Sequence, residues 1–310
     1  MAENTGSSRP SVDQPLAIER SGIMGLINDY ITLTKPPIIS LLLITAIGGL
    51  FLAAEGIPPL QTLTLVCIGG ALGAGGANAI NHFLDQDIDA IMSRTIKRPV
   101  ASNRISPISA LAFGITLNIG AFLVLTFGVN LLAATLTLAA TLFYVLVYTG
   151  WLKRNTPQNI VIGGAAGAIP PMVGWAAVTG GLDLSALYLF TIVFFWTPPH
   201  FWALALMIQD DYEAAGVPML PVVAGEERTI QNIFIYSLAL VGLTLLFGVS
   251  DAVGFIYLGT AATLGTYFIY LAWRLKLDYS IRKAKHLYLY SLLYLALLFA
   301  GMMVDSVFHF

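Results

Sequence analysis

Apolar residues run through this chain in long unbroken blocks, with no strand-like alternation. Nine blocks stand out, near 36–54, 60–81, 108–127, 130–150, 159–178, 185–207, 231–249, 253–273 and 286–307. Each approaches the roughly 20 residues a helix needs to cross a hydrocarbon core. Open sheets cannot satisfy their backbone in lipid, so the pattern predicts an all-α membrane protein, a bundle of nine transmembrane helices. Residues 1–22 are polar, with Ser7, Ser8, Pro10, Ser11 and Pro15, and predict a disordered cytoplasmic tail. Residues 23–310 then form a single transmembrane domain. The tail has no apolar core before a cleavage site, unlike a secretory signal, and Glu3, Asp13 and Glu19 offset Arg9 and Arg20, unlike a presequence.

Charge gives the bundle a direction. The chain is 57% hydrophobic and 10% charged, with a mean hydropathy of +0.80. Its basic residues are Arg9, Arg20 and Lys35 before block one, and Arg94, Lys97, Arg98 and Arg104 after block two. Lys153 and Arg154 follow block four, and Arg228 follows block six. Arg274, Lys276, Arg282, Lys283 and Lys285 follow block eight. These are all 15 Lys and Arg, and all fall on one side of a nine-span arrangement. The positive-inside rule then puts the N-terminus in the cytoplasm and the C-terminus across the membrane. A multi-pass protein of a prokaryotic plasma membrane is expected, with the lipid bilayer as a partner and no nucleic acid. The net charge of -2 hides this basic face, which suits anionic lipid or a diphosphate. Cys67 is the only cysteine, so it can form no internal disulfide and no Cys-based metal site.

The polar positions that end block two carry the chemistry. Asn81, Asp85 and Asp89 are spaced by four, which on a helix places them on one face, each about 40° further round. Two carboxylates one turn apart at a membrane boundary are costly unless a cation joins them. Mg²⁺ suits this pair, since it takes one or two carboxylates and fills its other positions with water and phosphate oxygens. Asn81, Asp85 and Asp89 are therefore the catalytic candidates. Arg94, Lys97 and Arg98 are candidate diphosphate contacts, joined by Lys153 and Arg154. Asp87 points roughly 200° away from Asp85, towards solvent or an arginine.

Other polar groups are less decisive. Asp210, Asp211 and Glu213 follow block six as the acidic cluster of Asn81–Asp89 follows block two, which suggests an internal repeat. His200 follows Pro198 and Pro199 inside an apolar block. It could serve a ligand or bond a carbonyl freed by the prolines. His82 adjoins the acidic face, while His286 and His309 read as interfacial. The aromatics Phe143, Tyr144, Tyr148, Phe194, Phe195, Trp196, Phe201 and Trp202 could line an apolar pocket, but lipid contact is the expectation for most of them.

Several stretches resemble one family: Leu33-Thr34-Lys35-Pro36, Asn78 through Asp89, Lys97-Arg98-Pro99, Tyr148 through Ile169, Thr197-Pro198-Pro199-His200 and Asp211 through Val223. Together they resemble the UbiA superfamily of intramembrane prenyltransferases over roughly residues 24–300. The Thr156-Pro157-Gln158-Asn159 and Pro198-Pro199-His200 runs are similar to the branch whose acceptor is haem. That resemblance implies nine transmembrane helices around a site open to the cytoplasm. It implies Mg²⁺ held by Asp85 and Asp89, with Asp211 as a further metal ligand, and His200 and His82 as haem-binding candidates. It also implies transfer of a farnesyl group from farnesyl diphosphate to the vinyl group of haem b, giving haem O and diphosphate, with a downstream haem A synthase as a partner. Two departures matter. His82 stands where many members carry Asp, and Asp211 lacks a second Asp four residues before it. A prenyltransferase for a quinone precursor or chlorophyllide is the near alternative. A transporter is the distant one, since nine spans and a repeat suit that class too.

Overall fold

The computed structural model describes residues 22–308. The expected tail, Arg9, Arg20 and His309 lie outside the described residues. Among those described, nine helices are long and apolar enough to cross a membrane. In chain order the helices are α1 (Ile23–Thr34), α2 (Pro36–Ala53), α3 (Leu60–Leu84) and α4 (Gln86–Ile91). Then come α5 (Pro107–Gly128), α6 (Leu131–Asn155), α7 (Asn159–Thr179) and α8 (Leu184–Met207). The last are α9 (Gln209–Ala214), α10 (Leu220–Phe247), α11 (Phe255–Leu277) and α12 (Ile281–Phe308). The protein is an integral, multi-pass membrane protein. Helix α10 begins 11 residues before the apolar block that predicts it, because the polar turn Glu226–Arg228 is helical beyond a kink at Gly225 (φ 79°).

The helices pack as a ring, α2 against α3 and α7, α8 against α7, α10 and α12, and α12 back against α2. Between helices in lipid the drive is close van der Waals contact, which favours small residues at crossings. At the α2–α7 crossing a Cβ on Gly174 would stand 1.9 Å from the Ala46 carbonyl oxygen, and one on Gly49 would stand 2.2 Å from that of Pro171. Neither position admits a side chain unless the helices separate. At the far end of α12, the buried Asp305 carboxylate accepts hydrogen bonds from the amides of Gly254, Ile256 and Tyr257. The open N-terminus of α11 thus satisfies a charge that hydrocarbon would penalise.

The spacing of Asn81, Asp85 and Asp89 predicts one continuous helix, and the structure bends it. Asp85 (φ -96°, ψ 11°) separates α3 from α4. Ile208 (φ -129°, ψ 34°) does the same between α8 and α9. Each acidic segment therefore follows a break and forms a short helix of its own. The N-terminal helix α1 was not evident in the sequence. It exposes Ile23, Met24, Ile27 and Ile31 and is tied down by Asp29, whose two carboxylate oxygens each accept from Arg104 Nε at 3.0 Å. Arg104, expected to serve only topology, has this structural partner.

Candidate active site

A cavity of about 450 Å³ lies inside the ring. Its walls come from α2, α3, α6, α7, α8 and α12, while α5, α10 and α11 stay outside it. Asn81, Asp85 and Asp89 line its polar end. The bend at Asp85 leaves the i→i−4 ladder intact, with Asp85 N donating to Asn81 O at 2.9 Å and Asp89 N to Asp85 O at 2.8 Å. Both carboxylates therefore stay on the cavity face, and they are 1% and 2% exposed. Asp87 turns outward and is gripped by Arg154, whose Nη1 and Nη2 lie 2.6 and 2.7 Å from its oxygens. That hydrogen bonding holds the Asp87 carboxyl down at about 2.

Buried carboxylates require partners, and each has one. Lys153 Nζ sits 2.5 Å from Asp85 Oδ2, which also accepts from Asn81 Nδ2 at 2.7 Å. Arg98 Nη1 lies 2.8 Å from both oxygens of Asp89. Lys35 Nζ donates to Asn81 Oδ1 at 2.8 Å and so closes the cluster from the α2 side. Burial, and then the nearby Arg98 guanidinium, pull the Lys35 ammonium well below the usual lysine range, against the raising effect of Asp89. Asp85 Oδ1 is buried with no hydrogen-bond partner, and Arg154 Nη2 stands 3.8 Å from it. An orphaned carboxylate oxygen aimed among cavity-facing acids is a vacancy in hydrogen bonding that a hard cation fits. Arg94 lines the cavity with no carboxylate paired to it among the described residues.

Three residues expected at the polar end do not line this cavity. Lys97 is exposed, and its carbonyl accepts from Arg104. Arg154 serves Asp87 and the Leu84 carbonyl at the end of α3. Asp211, expected as a metal ligand, accepts instead from Ser93 Oγ at 2.9 Å and from the amides of Ser93 and Arg94. Burial raises its carboxyl, but these hydrogen bonds together outweigh it and hold the group below its usual value. Asp211 therefore fixes the turn that carries Arg94. No group of three or more His, Cys, Asp or Glu gathers into a metal site among the described residues, so the acidic pair stands alone. Asp210 is exposed.

The rest of the cavity is apolar. Leu131–Asn155 starts as an α-helix and widens into π turns over Phe143–Leu152. Extra residues per turn re-aim side chains, a device frequent at functional sites. Here Tyr144 and Tyr148 stack at 5.5 Å on the cavity wall, Thr149 Oγ1 lies 3.2 Å from Asn81 Nδ2, and Lys153 reaches Asp85. Trp196 and Phe201 also line the cavity. For these four aromatics the expectation of lipid contact is corrected. Trp202 is buried off the cavity, its indole N–H unpartnered.

His200 lines the wall and is sandwiched between Trp196 (4.4 Å) and Tyr288 (4.8 Å). It does not bond a carbonyl freed by the prolines, since its Nδ1 meets Ser291 Oγ at 2.7 Å. Ser291 Oγ also lies 2.6 Å from the Tyr288 carbonyl, which can only accept. The one hydroxyl proton goes there, so Nδ1 of His200 is the donor and Nε2 keeps its lone pair. His82 is fully buried, off the cavity, and neither ring nitrogen has a partner. Its candidacy as a haem contact has no support in this arrangement.

Sequence reasoning underrated Lys35 and Tyr212, which line the cavity. A lysine directly before Pro36-Pro37 at the start of a span was the available signal for the first, because an ammonium there is costly without an acceptor.

Comparisons with known proteins bear on the family and the fold. The profile of the UbiA prenyltransferase family matches residues 42–300. A protoheme IX farnesyltransferase of Roseiflexus sp. (strain RS-1) is 52% identical over 97% of this chain and 56% of its own length. One from Gloeobacter violaceus is 52% identical over 92% of this chain and 93% of its own length. The chain thus spans about half the length of some curated relatives it matches, such as that of Roseiflexus. Among solved structures, a digeranylgeranylglyceryl phosphate synthase superposes with a TM-score of 0.75 at 20% identity, over 92% of this chain and 99% of that one. A UbiA homolog from Archaeoglobus fulgidus bound to GPP and Mg²⁺ gives 0.64 at 18% identity, over 88% and 99%. At such identities these two show a shared fold.

Proposed function

The chain belongs to the UbiA prenyltransferase family, and we propose that it transfers a farnesyl group from farnesyl diphosphate to a vinyl group of haem b. The observation that carries this reading is the cavity itself: two buried carboxylates and several cations close one end, and the rest is an apolar wall that includes aromatic rings and a lone-pair imidazole. The names of the relatives support the choice of substrates.

Asp85 and Asp89, with Asn81 beside them, would hold Mg²⁺. The ion, when bound, neutralises charge that builds on a departing diphosphate. Arg94, Arg98, Lys153 and Lys35 project into the same end, where they bind phosphate oxygens and keep them oriented. The allylic C–O bond breaks and its electron pair leaves with the diphosphate. The vinyl carbon bonds to the allylic carbon, and water adds to the adjoining cationic carbon, losing a proton to give the hydroxyethylfarnesyl chain of haem O. No step needs a strong base. Tyr144, Tyr148, Trp196 and Phe201 exclude water early and offer ring faces to the allylic cation. His200 would contact the haem through Nε2.

The charged end also bears on the orientation of the protein. Every basic residue from Lys35 to Lys285 lies at the same ends of the spans as the acidic pair, which supports a cytoplasmic N-terminus, an outward C-terminus and a diphosphate entering from the cytoplasm. A haem A synthase would take the product onward. Incubation of purified protein with haem b and farnesyl diphosphate tests the reading. A product heavier by one farnesyl group and one hydroxyl is expected, and haem b recovered unchanged from an enzyme that prenylates an added quinone precursor would overturn it.

A further inference from the structure

A second cavity, of about 200 Å³, opens between α11 and α12 at their basic ends. It is separate from the active-site cavity, sharing no lining residue with it. Its rim is Arg274, Lys283 and His286, and its walls are Tyr267, Tyr270 and Leu271. Tyr267 also meets Tyr290 edge-on, at 4.8 Å. No acid lines it. The nearby Asp278 is already engaged, with Lys283 Nζ 2.6 Å from its carboxylate. Arg274 has no carboxylate partner among the described residues and reaches only Tyr270, donating from Nη1 to the hydroxyl at 2.8 Å. The surplus in this cleft is therefore cationic.

We propose that this cleft binds the phosphate of an anionic phospholipid in the cytoplasmic leaflet. A basic loop that only fixes orientation needs charge but no cleft, and no particular surface beneath it. This site has both. Below His286, Leu289, Leu293 and Leu297 follow on one stripe of α12, and they are 49%, 51% and 41% exposed. The stripe runs from the cationic rim down the lipid-facing surface, where an acyl chain attached to the bound phosphate would lie. Tyr267 and Tyr270 are half exposed at the level where ring and hydroxyl can face apolar and wet surroundings together. A free phosphate would use the rim and gain nothing from the stripe. A lipid uses both.

Native mass spectrometry of the full chain in detergent, titrated with phosphatidylglycerol or phosphatidylcholine of equal chain length, tests the site. Retention of phosphatidylglycerol over phosphatidylcholine is expected. Arg274→Gln combined with His286→Gln should cut that retention about fivefold, the worth of one cation at a membrane surface. Arg282→Gln combined with Lys285→Gln removes more charge from outside the cleft and should change it less than about twofold. Equal loss from both pairs would show a diffuse field and no site. Displacement of the lipid by millimolar inorganic phosphate would assign the cleft to a soluble anion. If the Arg274/His286 variant fails to insert, the wild-type titration decides, and equal retention of the two lipids overturns the proposal.

Discussion

Lys153 Nζ stands 2.5 Å from Asp85 Oδ2, inside a cavity and with the lysine side chain only 12% exposed. The ammonium occupies the place where a carboxylate this deeply buried must have positive charge. Removing one member of such a pair leaves an uncompensated buried charge, at a cost of about 3–5 kcal/mol. Lys153→Met should therefore lower the thermal midpoint of the purified protein without added metal. If Asp85 is a metal ligand, millimolar Mg²⁺ should recover much of the loss, since ligand binding to the folded state stabilises it. Thermal scans with Mg²⁺ and with a chelator check this. A loss that Mg²⁺ does not touch would remove Asp85 from the metal site.

Asp85 and Asp87 differ by two residues and face opposite ways, so their substitutions should separate. Asp85→Asn removes charge from the polar end of the cavity and should lower farnesyl transfer by at least about a hundredfold, the usual loss when a group supporting transition-state charge is deleted. Asp87→Asn breaks an exposed pair worth about 0–1 kcal/mol and should stay within a few fold of wild type. Initial rates on inserted protein decide it, and equal loss in both would tie Asp87 to the chemistry.

The Asp87–Arg154 pair also fixes a pH signature. Asp87 titrates at about 2 in the fold and near ~3.9 when unfolded. A depressed carboxylate adds stability above its unfolded value and loses it as pH falls towards its folded value. The difference in thermal midpoint between wild type and Asp87→Asn should thus be constant from about pH 8 to 5, then shrink from about pH 4 towards 2. Because Asp87 is exposed, the whole effect should stay below about 1 kcal/mol. A difference that changes between pH 6 and 8 would assign it to another group.

Single cysteines test the orientation. Those placed in 55–59 or 179–184 should react with an impermeant reagent from outside the cell, and those in 94–104 or 276–285 only after lysis. Labelling at position 283 from outside would invert the arrangement.

Length and hydropathy made the spans legible, because the bilayer imposes both on every crossing helix. The four-residue spacing of Asn81, Asp85 and Asp89 likewise located the cavity's polar end, since a bend that keeps the i→i−4 ladder does not change which face they share. Partners from distant chain segments were hidden. Nothing near Lys153 in sequence announces Asp85, because the π turns of Phe143–Leu152 set its direction and no periodicity predicts them. The surroundings of Asp211 were hidden for the same reason. Its acidity was visible, but its partners, Ser93 and Arg94, lie 118 and 117 residues away. Tyr144 and Tyr148 looked like interfacial aromatics because composition cannot tell an inner wall from an outer one.

His200 offers the sharpest test of the acceptor. Ser291 Oγ accepts a hydrogen bond from Nδ1–H, so the imidazole presents Nε2 as a lone pair, and the flanking rings of Trp196 and Tyr288 stack on it. If haem meets this nitrogen and the diphosphate sits at the acidic end, His200→Ala should weaken haem affinity by about tenfold, equivalent to about 1.4 kcal/mol, with little change for farnesyl diphosphate. A purely bracing role predicts a lower thermal midpoint and equal harm to both substrates. His200→Asn separates contact from ligation, since an amide can still bond Ser291 but is a poor iron ligand. Wild-type haem affinity and an unchanged haem optical spectrum in the Asn variant would exclude iron ligation by His200. Ser291→Ala supplies a further check. It frees the ring to adopt the other tautomer, so a contact through Nε2 should weaken even though His200 itself is intact. Optical titration of haem into the three variants and the wild type, with farnesyl diphosphate affinity measured alongside, reads all of these outcomes.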